Sequence, residues 1–402
     1  MLKYLKQYSG KIATLLGLPA VARRELFSDI RGLPNDDPGM DRVIEEGVTW
    51  IGLAQDCSRS HDGGVARHFS LFDGWGTSYP ETTGYIVPTL LFYAEQLTDQ
   101  KGEEARHRAR RMLNWLITIQ FPEGGFPGGT IGASPQVPVT FNTGQILLGL
   151  ASGVRSFGDT YRAPMRRTAD WLVQTQDPDG CWRNNRSPFA EPGEKVYETH
   201  VAWGLLEAAR IEGAAGSRYA EAALANINWA LHHQKANGWF EKCCVNDEDR
   251  PLSHSIGYVL RGLVEAYRFT KDSALLEAAM KTADGLLPAI REDGFLPGRL
   301  ARDWRGTVRW SCLTGTAQVA CCWFLLAEET GRSVYRDAAR AANRYVRRTI
   351  KVEAAPETRG AVKGAFPVDG DYCAYQYPNW ACKFVIDSNL LEQRVVGEGE
   401  SP

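Results

Sequence analysis

No run in the 402-residue chain approaches the roughly 18 apolar residues that a membrane-spanning helix needs. No membrane span is therefore expected. An excess of one charge is missing too: 46 Lys and Arg face 48 Asp and Glu. The two signs are interleaved, whereas a nucleic-acid binder usually shows a basic face or stripe. There is no phosphate-binding Gly loop and no Ser nucleophile elbow. Nine cysteines make an odd set, and Cys243-Cys244 and Cys321-Cys322 are adjacent pairs. That is no disulfide framework, and it fits a reducing compartment. Cys243, Cys244, His254 and Cys312 lack metal-type spacing. Neither a metal nor another cofactor is expected. The location expected is cytoplasmic. Export is the alternative, if residues 1–22, with a basic start and Ala20-Val21-Ala22, form a signal peptide. Leu2, Leu5, Ile12 and Leu15 instead fall near the spacing of an amphipathic helix.

What the chain has is a repeat. Gln, three residues, Gly, one residue and an aromatic recur at Gln120-Gly124-Phe126, Gln176-Gly180-Trp182 and Gln234-Gly238-Phe240, 56 and then 58 residues apart. A degenerate copy begins at Ile290, with Gly294 in register. Outlying copies follow Trp50 and Tyr345. Each copy follows a mostly amphipathic helix such as "ADWLVQTQ". Between the copies lie six more apolar stretches, such as "NTGQILLGLASGV". A helix apolar nearly all round is a buried one. Six buried helices ringed by six amphipathic ones predict an all-α (α/α)6 toroid with a central cavity. An open solenoid of the same units is the competing arrangement, but six units are what a closed ring needs. The toroid is expected over residues 41–395. Residues 1–40 would be a helix and linker, and 396–402 a flexible tail.

In such a ring the inner helices start at one end, and the stretches before them build a funnel. Those stretches are rich in Tyr, Trp, Glu, His and Asn. Two share a phrase: Tyr79-Pro80-Glu81-Thr82 and Tyr197-Glu198-Thr199-His200. Each Glu reads either as a helix cap or as half of a buried carboxylate pair suited to glycoside cleavage. His200 and His254 head the third and fourth inner helices, and Tyr258 lies one turn past His254 on the same face. A lone His is more often structural, but imidazole and phenol also suit proton transfer at carbon 5 of a uronic acid. Asn142 or Arg309 would neutralise that acid's carboxylate. Tyr375, Tyr377 and Trp380 either seal the ring or stack on sugars. Lys383, one turn on, would point into the cavity. Tyr79, Gln145, Trp203, Gln318 and Asn379 complete the candidate substrate-binding set.

The Gln-aromatic phrase resembles the repeat of squalene and triterpene cyclases and of protein prenyltransferases. The cyclases' Asp-rich motif is absent, its nearest counterpart being Asp369-Gly370-Asp371, and no zinc set matches. The resemblance therefore implies architecture rather than terpene chemistry. At "DGGVARHFSLFDGWGTSYPETTGYIVPTLL" and "YPNWACKFVIDSNLL" the chain resembles proteins of bacterial exopolysaccharide gene clusters. The same regions resemble the helical domain of glucuronyl C5-epimerases. That likeness implies a catalytic Tyr at Tyr375 or Tyr377. In layout the chain is also similar to toroidal polysaccharide lyases, implying roles for Asn142, His200 and Tyr258, although the lyases' tandem Asn-His is absent.

The function expected is action on a uronate-containing polysaccharide or oligosaccharide by proton abstraction, as a β-elimination lyase or C5-epimerase. His200 and Tyr258 would be base and acid in either order. The alternatives are a glycoside hydrolase using Glu81 and Glu198, and a non-catalytic glycan-binding protein. The expected partner is the saccharide, not nucleic acid.

Overall fold

The computed structural model describes residues 17–187 and 190–399. The expected helix over residues 2–15 lies outside them. Helix α1 (Ala20–Ile30) precedes twelve helices that alternate between two rings. The outer ring comprises α2 (Met40–Asp56), α4 (Gln100–Thr118), α6 (Arg162–Gln174), α8 (Ser217–Leu231), α10 (Ser273–Leu286) and α12 (Ser333–Arg347). The inner ring comprises α3 (Pro80–Glu95), α5 (Thr140–Phe157), α7 (Thr199–Glu212), α9 (Ser253–Thr270), α11 (Leu313–Thr330) and α13 (Asn379–Gly399). Helix α13 thus runs into the stretch expected to be a tail.

Each inner helix packs on the next, and α13 packs on α3, so the ring closes. Helix α13 also packs on α2. The sixth hairpin is therefore assembled from the two ends of the chain. The inner helices are buried on nearly every face, because they touch two inner neighbours and an outer partner. Glycine allows the close approach between them. A Cβ on Gly149 of α5 would collide with the carbonyl oxygen of Gly84 on α3.

The repeated phrase is a staple between neighbouring units. Nε2 of Gln176 donates to the carbonyl of Gly180 (3.0 Å) and to that of Ala222 in the next outer helix (2.9 Å). Gln120 and Gln234 reach Pro164 and Ala278 in the same way, at 3.0 and 2.8 Å. These bonds satisfy buried carbonyls that would otherwise be costly. Gly180 has φ +92° and lies so near the carbonyl of Ala225 that no side chain fits. The phrase is architecture, as its cyclase-like character implies.

Short strands decorate the end where the inner helices begin. β1 (His68–Ser70) pairs antiparallel with β2 (Gly74–Trp75) and with β5 (Gln376–Pro378). β3 (Ser311–Cys312) pairs with β4 (Ala365–Phe366). Helix α1 is strapped to this end: Lys363 pairs with Glu25 (2.7 Å) and Asp29 (2.5 Å) in a buried cluster. No helix among the described residues is long and apolar enough to cross a membrane.

Candidate active site

The stretches before α3, α7, α9 and α13 surround a cavity of about 240 Å³ at the N-terminal ends of the inner helices. Its one deeply buried carboxyl belongs to Glu81, in the first turn of α3. Glu81 makes no cap: the cap residue is Tyr79, without a side-chain cap bond. Instead the Tyr79 hydroxyl donates to Oε2 of Glu81 at 2.9 Å. Burial pushes the Glu81 carboxyl up to about 7, against the lowering effects of the Tyr79 hydrogen bond and the Arg67 charge. A carboxyl in that range holds and releases a proton near neutrality, which a general acid or base requires.

Two imidazoles flank Tyr258. Its ring centroid lies 4.5 Å from that of His254 and 4.6 Å from that of His200. His254 and Tyr258 line the cavity together, as their one-turn spacing on α9 predicted. His200 does not line it. It sits one layer deeper, between Tyr258 and Trp203. Each imidazole is oriented by a glutamine from a neighbouring inner helix. His254 Nδ1 donates to Gln318 Oε1, and His200 Nδ1 donates to Gln145 Oε1 at 2.6 Å. Each Nε2 is left with its lone pair. Burial lowers His254 to about 4 and takes His200 well below its ordinary value, so both are neutral at pH 7. Burial raises the Tyr258 hydroxyl well above 10, so it stays a proton donor, and it is hydrogen-bonded to Tyr85.

The walls are aromatic. Phe141 packs edge-on to Tyr258 and Tyr197 at 5.1 and 5.4 Å. Trp380 donates to the Tyr372 hydroxyl at 2.8 Å. The Arg67 guanidinium lies 5.1 Å from the Trp380 ring centroid and 5.7 Å from that of Tyr79. Arg299 also lines the cavity; it approaches the exposed Asp371 at 3.7 Å and donates to Asn246 at 3.3 Å.

Several expected site residues are elsewhere. Glu198 is buried outside the cavity, near Lys195 and Cys181, so Glu81 and Glu198 do not face one cavity as a pair. It occupies the cap position of α7 but makes no side-chain cap hydrogen bond. Asn142 lines no central cavity; its amide donates to the carbonyl of Pro127 at 3.4 Å. Asn379 similarly anchors Ala66 at 2.9 Å. Arg309 is exposed and lines neither central cavity. Tyr375 packs edge-on to Phe72 at 5.3 Å and Tyr377 is buried beside Phe69 in the small sheet. Neither lines the cavity. Trp203 and Lys383 face a second cavity at the other end of the ring.

The squalene-hopene cyclase C-terminal domain family model matches residues 93–262. This is the part of the chain that carries all three full copies of the Gln-aromatic phrase. Among solved structures, an unsaturated glucuronyl hydrolase specific for heparin aligns with a TM-score of 0.69 at 15% identity, covering 89% of this chain and 98% of that one. A sugar epimerase from a ruminal bacterium aligns at 0.68 and 14%, covering 89% and 99%. An unsaturated glucuronyl hydrolase from Streptococcus agalactiae aligns at 0.61 and 11%, covering 93% and 96%. At these identities the likeness is one of fold, and the fold is the (α/α)6 toroid.

Local spacing reveals part of what sequence reasoning missed. Tyr85 stands one helical turn after Glu81, by the same rule that joined His254 to Tyr258. Arg67 and Arg299 gave no such signal, since each arrives on a loop far from the helix it serves. Among the described residues, no group of three or more His, Cys, Asp or Glu is placed to hold a metal ion. All nine cysteines are free.

Proposed function

We propose that this protein is a carbohydrate-active enzyme that transfers a proton at a sugar carbon of a uronate-containing saccharide. The observation carrying the proposal is Glu81: a buried carboxyl poised near 7 in an aromatic cavity that Tyr258, which keeps its proton, also lines. Glu81 replaces His200 as the base. It takes the proton from carbon 5, next to the uronate carboxylate. Arg67 or Arg299 pairs with that carboxylate and stabilises the charge that develops on it. Tyr258 supplies a proton, with neutral His254 against its ring. Delivery to the oxygen leaving carbon 4 completes β-elimination. Delivery to the other face of carbon 5 completes epimerisation. The cavity lies below the roughly 300 Å³ at which drug-sized pockets begin, so it suits one or two sugar units at a chain end. Fold-level likeness to glucuronyl hydrolases and a sugar epimerase supports a saccharide substrate.

Hydrolysis is the second reading. A protonated Glu81 is a suitable acid for a leaving sugar oxygen, and the hydrolase neighbours favour it. The Glu81–Glu198 pair does not support it, because Glu198 stands outside the cavity.

The test is incubation with uronate oligosaccharides in deuterated water, read by mass spectrometry and ultraviolet absorbance. Deuterium at carbon 5 without cleavage indicates epimerisation. A new unsaturated uronate chromophore indicates elimination. New reducing ends with neither signal would overturn proton abstraction in favour of hydrolysis.

A further inference from the structure

The ring has a second, larger cavity of about 550 Å³ at the C-terminal ends of the inner helices. All six inner helices contribute to it. Seven basic and four acidic side chains line it, an excess of three positive charges. Part of that excess has a structural explanation. Arg155, Arg210 and Arg268 stand in the last turns of α5, α7 and α9, where a cation offsets the negative end of the helix dipole.

Arg261 and Lys383 have no such explanation. Arg261 stands two turns before the end of α9, and the dipole effect fades within the last turn. Lys383 lies in the second turn of α13, near the end where a dipole disfavours a cation. Both are deep: their side chains are 16% and 3% exposed. Both also have donors to spare. Arg261 directs Nε and one Nη to a single oxygen of Glu265, at 2.9 and 2.8 Å, and its only other described contact is the face of Trp203, 4.2 Å away. A guanidinium has five N–H donors. Lys383 gives one hydrogen bond, to Asp387 at 2.6 Å, and its ammonium otherwise faces only the Phe384 and Tyr85 rings, 4.1 and 5.2 Å from their centroids; an ammonium has three N–H donors. Burying cations with unused donors is costly unless something accepts from them.

We infer that this opposite mouth is a binding site for a compact oligoanion carrying two or more phosphate or carboxylate groups, with Arg261 and Lys383 at its floor. Arg155, Arg210 and Arg268 form its rim. The site is separate from the Glu81 cavity. The layer between them holds His200, whose ring touches Tyr258 on one side and Trp203 on the other.

The experiment is isothermal titration calorimetry with inorganic pyrophosphate and with trigalacturonate as probes. One-to-one binding of pyrophosphate is expected; trigalacturonate, which the Glu81 cavity also takes under the proposed function, is scored by the binding lost in the variants below. Pyrophosphate alone indicates a phosphorylated ligand, and trigalacturonate alone a carboxylated saccharide. The double variant Arg261→Gln/Glu265→Gln keeps the net charge and a neutral hydrogen-bonded pair. Lys383→Gln leaves Asp387 with the Thr89 hydroxyl at 2.6 Å. Each should weaken binding at least tenfold while circular dichroism is unchanged. Absence of binding by both probes would overturn the inference. So would binding that both variants leave within twofold of wild type, since the anion would then sit elsewhere.

Discussion

Replacing Glu81 with Gln tests the electrostatics of the site without any knowledge of the substrate. Burial pushes the Glu81 carboxyl up to about 7 in the folded protein, from an ordinary value of 4.5. The native protein therefore binds this proton more tightly than the unfolded chain does. Below pH 4.5 the carboxyl is neutral in both states and costs nothing extra. As pH rises from 4.5 to 7, the unfolded chain releases the proton while the native protein holds it, and stability falls with pH. Above 7 the penalty is complete. A shift of this size, at 1.36 kcal/mol per unit, amounts to about 3 kcal/mol. Gln is neutral at every pH and still accepts from Tyr79. Glu81→Gln should therefore match wild type at pH 4.5 and exceed its stability by about 3 kcal/mol at pH 8. Urea denaturation at the two pH values measures this directly. A stability difference that does not change with pH would refute the buried, proton-holding carboxyl. The same substitution should abolish turnover, so stability and activity move in opposite directions.

Tyr79→Phe removes the hydrogen bond that favours ionised Glu81. Bonds to charged groups are worth about 1.5–3 kcal/mol, so the acidic limb of the pH–rate profile should move up by about one unit or more, and an unmoved limb would detach Tyr79 from Glu81. Tyr258→Phe keeps the packing against both imidazoles but removes the proton. It should lower kcat by about 10²–10⁴-fold with KM little changed, as steady-state kinetics would show. Gln176→Ala removes two hydrogen bonds, to the Ala222 carbonyl and to that of Gly180, which keeps Asn226 at 2.9 Å, and should cost about 1–3 kcal/mol in thermal or urea unfolding, with kcat/KM unaltered. Gly180→Ala forces a side chain into a left-handed, occupied position, and should destabilise the protein by more than about 1 kcal/mol without touching the site.

The architecture was legible in the chain because its signals are local and repeated. The staple needs only a Gln, a Gly four residues later and an outer helix at a fixed distance, so its period counts the units. Burial on all faces marks the inner helices, and a one-turn spacing suffices to set His254 beside Tyr258. The candidate site was legible only in part, and the reason is helical phase. The related phrases Tyr79-Pro80-Glu81-Thr82 and Tyr197-Glu198-Thr199 stand at two ring positions but enter their helices differently. Tyr79 caps α3, which places Glu81 inside the first turn. Tyr197 and Glu198 instead lie in a short 3-10 turn, and Glu198 itself takes the cap position of α7. Each residue advances a helix by about 100°, since a turn holds 3.6 residues. A change of a residue or two in entry therefore aims one carboxylate at the cavity and the other away from it. The same rotation, with a rise of about 1.5 Å per residue, turns Lys383 and Trp203 toward the far mouth. Arg67 and Arg299 join the cavity only when the ring closes and brings distant loops together. Sequence alone therefore determines the period, the ring and the faces within one helix. Which side chains share a cavity is decided by the phase at which six helices meet, and only the closed tertiary structure sets that.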